Sequence, residues 1–147
     1  MSKLDYQRPY DVTFVKQLFE LDGEEGRVLY AWDLIVDTFY PLAVARAAIL
    51  FALTVIRKPT LQKLLIIIPL IFLVTDVIEN AFIFLFLGTY PSISPTLVSI
   101  SSLFTGIKLF MIYPTFYEMF IFMPIAIIVA ITPFAKKLWA TRKITVQ

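Results

Sequence analysis

The chain has 147 residues, 59% hydrophobic and 16% aromatic, a net charge of +2, and neither cysteine nor histidine. With a mean hydropathy of +0.82, this composition points to an integral membrane protein rather than a soluble domain. The missing residue types exclude disulfides, histidine-ligated haem, the usual zinc sites and Ser-His or Cys-His catalysis. Nor is there a basic tract interleaved with aromatics for nucleic acid to bind.

One helical bundle over residues 1–147 is expected at this length. Residues 1–27 are polar and rich in acidic side chains, and lack the apolar h-region of a signal peptide. Within them Val12, Val15, Leu18 and Phe19 recur at helical spacing, with Lys16, Gln17 and Glu20 on the other side. That pattern predicts an N-terminal amphipathic helix, ended by Gly23. It would cap the bundle, or alternatively bind a membrane surface or a partner.

The first membrane span is expected over 28–56, closed by Arg57-Lys58-Pro59. Trp32, Asp33 and Asp37 suit a helix leaving the headgroup zone. Arg46 lies deeper, among Ala, Leu and Ile. It lines up on a helical wheel with Phe39 and Leu53, away from Asp33 and Asp37, so it needs a carboxylate from another helix.

Pro59 suits the first position of a second helix, over 61–87, whose apolar run is interrupted by Asp76, Glu79 and Asn80 on one face. Charged groups at membrane depth face the protein interior and need partners. Counting equally from the tight turn brings Arg46 to within about one helical turn of Asp76, so these two are the expected buried ion pair. Glu79 is left without an obvious cation.

Ser94-Pro95 reads as a helix start, and from there to Ala135 the only charged residues are Lys108 and Glu118. Either one long helix over about 95–135, kinked near Pro114 and Pro124, makes three spans, or a break at Tyr113–Thr115 makes four. Three spans place Arg57, Lys58 and Lys63 on the same side as Lys136, Lys137, Arg142 and Lys143, which the positive-inside bias favours. Ser94, Ser101, Thr105, Lys108 and Thr115 then form a polar stripe on a helix rising out of the bilayer. Lys108 would be interfacial, snorkelling or paired with Asp33 or Asp37. Glu118 would join Arg46, Asp76, Glu79 and Asn80 in a structural polar core, at a depth near Glu79. The tail over 136–147 is basic, with Trp139 as an interfacial anchor.

No glycine-rich phosphate loop, nucleophile elbow or metal-binding histidine pair is present. Asp76-x-x-Glu79-Asn80 offers oxygen ligands to a hard cation, but it is a single acidic motif and Arg46 opposite would repel the metal. No cofactor and no catalytic residue is therefore expected. Glu24-Glu25-Gly26-Arg27, Asp33 and Asp37, Asp76-x-x-Glu79-Asn80 and Lys108 together resemble small uncharacterised bacterial integral membrane proteins with an Asp-x-x-Glu-Asn motif in a transmembrane helix. The resemblance implies that Asp76, Glu79 and Asn80 are a shared structural core.

The expected function is that of a non-catalytic membrane subunit, contacting lipids and other subunits. An accessory role in an energy-transducing complex, in the inner membrane of a mitochondrion or bacterium, fits. Alternatives are a lipid-binding protein or enzyme built on the acidic cluster, and an oligomeric carrier or proton pathway.

Overall fold

The computed structural model describes Leu4, residues 9–129 and residues 131–132. The expected basic tail and its Trp139 anchor lie outside the described residues. Three helices are long and apolar enough to cross a membrane: α1 (Val12–Val55), α2 (Pro59–Thr89) and α3, which starts at Pro95 and runs on to Val129. No turn interrupts α3 at Tyr113–Thr115.

Local chemistry accounts for the helix ends. The Asp11 carboxylate accepts a hydrogen bond from the Phe14 amide at 2.8 Å, capping α1. Gly23 adopts φ 64°, a left-handed conformation that costs glycine little, and divides α1 into two helical parts. The second part restarts at once, earlier than the residue 28 expected. Glu24 and Glu25 then fall in its first turn, where carboxylates suit the unpaired amides. Pro59 and Pro95 each occupy a first helical turn, where the missing N–H is no loss. Ser94 precedes α3 in extended conformation, but its side chain makes no capping hydrogen bond.

In α3, Pro114 has no N–H to offer its own turn. The Glu118 amide donates to both the Pro114 and Thr115 carbonyls, and a π-helical turn follows over Glu118–Phe122.

α2 is the centre of the bundle, packed along its length against both α1 and α3, which scarcely touch each other. Two apolar clusters hold the ends. At one end Leu4, Tyr10, Val15, Leu18 and Phe19 from the N-terminal segment pack on Tyr30, Leu34, Ile83, Phe86, Ile93 and Val98. Here Arg27 donates to the Phe19 carbonyl at 2.8 Å and its guanidinium lies 4.7 Å from the centre of the Tyr90 ring. The N-terminal segment is thereby folded back onto the bundle. At the other end a smaller cluster joins Phe51, Ala52 and Leu65 to Phe122 and Met123. Between the two ends lies a polar layer.

Candidate functional site

The polar layer is built on Lys108. Its ammonium lies 3.3 Å from Asp76 Oδ1 and also pairs with Glu79. All three side chains are buried, Glu79 at 0% and Lys108 at 5% exposure. Asp76 and Glu79 are three apart on α2, so both point at α3 from one face. Lys108 meets them because α2 and α3 run antiparallel, which sets Thr105 beside Glu79 and Lys108 beside Asp76.

Hydrogen bonds spread the remaining negative charge. The Thr105 hydroxyl donates to Glu79 Oε1, and Asn80 Nδ2 donates to Asp76 Oδ2 at 3.2 Å. Asn80 also donates to Thr38 Oγ1 at 3.1 Å, which brings α1 into the network. The Tyr10 hydroxyl sits 2.8 Å from Ser101 Oγ and 3.3 Å from Thr105 Oγ1, and its amide donates to Ser102 Oγ at 3.2 Å. One connected network therefore touches the N-terminal segment and all three helices.

Several sequence expectations are corrected here. Arg46 is not the partner of Asp76: it is exposed, and forms no ion pair with any described residue. Counting from the turn carries no information on direction, and the α1 residues beside Asp76 and Asn80 are Pro41 and Thr38. Val44, Ala45, Ala48 and Ala52 are the buried side of this stretch, and Arg46 points away from them. Lys108 is the cation of this layer, held by Asp76 and Glu79, which were not expected as its partners. Of the stripe, Ser94 is half-buried and Ser101, Thr105, Lys108 and Thr115 are buried, so the polar face of α3 turns inward and the apolar faces turn out. In hydrocarbon that is the favoured arrangement, because polar groups find partners only inside the protein.

Glu118 is also separate. It lies ten residues beyond Lys108 on the same helix, about 15 Å away along the axis, and so is remote from Glu79. It is buried, and neither carboxyl oxygen has a hydrogen-bond partner among the described residues. Asp37 lies close to Lys108, since the two line one small cavity. Trp32 is exposed and Asp33 half-buried. Tyr10 and Thr38 were missed in the sequence, where no local pattern sets either apart. The stripe on α3 was visible, but its direction was not.

The cavity beside the ion pair has a volume of about 50 Å³ and is walled by Asp37, Tyr40, Pro41, Phe72, Asp76 and Lys108. That is room for a water or two. Among the described residues no three acidic side chains converge as a metal cage, and the Lys108 ammonium occupies the position between Asp76 and Glu79 that a cation would take. The arrangement holds charge in place and pins three helices in register. No family model matches this chain, and no curated protein and no solved structure matches it.

Proposed function

We propose that the protein is a non-catalytic integral membrane subunit that packs against other membrane-spanning chains and against lipid. One observation carries this reading. The second half of α3 packs one side on its own bundle, through Phe122 and Met123, and leaves the rest uncovered, with Phe110, Tyr113, Phe116, Tyr117, Phe120, Ile121, Ile125 and Ile128 all exposed. Tyr113, Phe116, Tyr117 and Phe120 wall an apolar groove of about 460 Å³ on that face. Aromatic side chains at this density supply large contact area at low entropic cost, which suits a packing surface.

In this reading the polar layer is structural glue, residues 12–22 are an amphipathic cap on one end, and α3 bends at Pro114 and the π-helical turn. An accessory role in an energy-transducing complex, in an inner bacterial or mitochondrial membrane, agrees with the small size and the apolar surface. Gentle detergent extraction followed by native mass measurement tests the proposal. The expected result is a particle heavier than the 16.9 kDa chain, containing a second polypeptide at fixed stoichiometry. A monomer overturns it.

Glu118 favours a second reading, as an intramembrane lipid-binding or proton-handling protein. A buried carboxyl without a described partner, at the start of a π-helical turn, has the local distortion that often accompanies function. Under this reading extraction yields a monomer with retained lipid, and Glu118→Gln loses that lipid.

A further inference from the structure

The exposed face of α1 carries a regular pattern. Trp32, Val36, Phe39, Ala43, Arg46, Leu50 and Leu53 alternate by four and three residues, and every one of them is exposed. This is the 3.5-residue repeat of a helix–helix seam, with the small Ala43 beside its centre. The anomaly in the seam is Arg46. It is eleven residues from Arg57 in the basic turn, about 16 Å at the rise of an α-helix, and further still from Trp32 at the other end. Half the thickness of a bilayer hydrocarbon core is about 15 Å. Arg46 is thus near mid-depth, out of reach of both headgroup layers for a snorkelling side chain. Its guanidinium, always charged, pairs with no described carboxylate.

We propose that this seam of α1 docks a membrane-spanning helix of another protein, one that carries an Asp or Glu at mid-depth paired with Arg46. The inference rests on the subunit reading above and names the chemistry of one partner. Charge complementarity selects the occupant. A lipid tail offers no counter-charge at this depth, and a second copy docking by the same seam in parallel would set Arg46 against Arg46. The Arg–carboxylate pair fixes both depth and rotation of the incoming helix, because the guanidinium binds a carboxylate in a fork geometry.

The test uses the full chain in phosphatidylcholine vesicles. Since the protein has no cysteine, Ser92→Cys in the exposed turn after α2 gives a single site for a donor fluorophore. The probe is a synthetic transmembrane helix of Leu and Ala with an acceptor label and one central residue, either Glu, Gln or Lys. Energy transfer should report association with the Glu helix about tenfold tighter than with the Gln helix, the scale of one interhelical polar contact in lipid. Arg46→Leu should abolish that preference. Arg46→Glu should transfer it to the Lys helix, and this reversal also shows that the variant is folded. Equal binding of the Glu and Gln helices to the unaltered chain overturns the proposal, as does a Glu preference that survives Arg46→Leu. Energy transfer between two labelled copies of this chain that is lost with Arg46→Leu also overturns it, in favour of self-association. The vesicles contain no natural partner, so failure here is separate from finding a monomer on native extraction, which overturns the subunit reading itself.

Discussion

Arg46 and Lys108 are both lone cations in long apolar runs, yet they occupy opposite situations. Lys108 lies at the centre of the bundle, between two carboxylates that Thr105 and Asn80 also hold. Arg46 stands on the outer face of α1 with exposed Leu42, Leu50 and Leu53 around it. The difference follows helix rotation. α3 turns its polar stripe toward α2, whereas α1 turns its alanines toward the bundle and Arg46 away. One cation holds the chain together, and the other is available to something outside it.

The sharpest way to break this contrast is to remove Lys108. Lys108→Met leaves two buried carboxylates without their cation and should destabilise the folded chain by about 3–5 kcal/mol. Thermal or denaturant unfolding in detergent measures this. Adding Asp76→Asn and Glu79→Gln to Lys108→Met should recover much of the loss, because neutral groups are then buried together. If the triple variant is no more stable than Lys108→Met alone, the layer is not an electrostatic unit.

Tyr10 extends the comparison to the N-terminal segment. Tyr10→Phe keeps the ring in its apolar cluster but removes the hydroxyl that meets Ser101 and Thr105. A loss of about 1 kcal/mol is expected, with faster proteolysis of residues 9–22 as a local readout. An unchanged cleavage rate would show that the segment is held by packing alone.

Glu118→Gln should be milder. The carboxyl makes no hydrogen bond with described residues, so an amide of the same shape should leave unfolding within about 1 kcal/mol of the parent. A larger loss would reveal a partner of the charged form.

The smallest effect is expected at Arg46. Arg46→Leu exchanges an exposed side chain and should shift the stability of the isolated chain by no more than about 0.5 kcal/mol. In a double-mutant cycle Arg46 and Asp76 should be additive, whereas Lys108 and Asp76 should couple by about 0.5–3 kcal/mol. Coupling between Arg46 and Asp76 would restore the pairing expected by counting residues from the turn.

Three helices long and apolar enough to span a membrane, the breaks at Gly23 and before Pro59 and Pro95, and the membership of Asp76, Glu79 and Asn80 in a buried polar group were all legible in the chain. These depend on length, hydropathy and local turn chemistry, which act within a few residues of one another. The role of Lys108 was not legible. Ser101, Thr105 and Lys108 share a face in any helix, but in water such a face turns outward, and in hydrocarbon inward. Glu118 was placed near Glu79 because the register of α3 against α2 was unknown.

Sequence alone therefore determines where the helices of this protein run and which of their faces carry charge, since periodicity and capping are properties of one segment. Which charges meet is decided by rotation about each helix axis and by sliding along it, and these depend on packing. The small side chains Ala45, Ala48 and Ala52 turn the buried face of α1 inward. The antiparallel register of α2 and α3 then brings Lys108, rather than Arg46, to Asp76 and Glu79. A helix rotates by 100° per residue, so counting residues from a turn does not tell which way a side chain points.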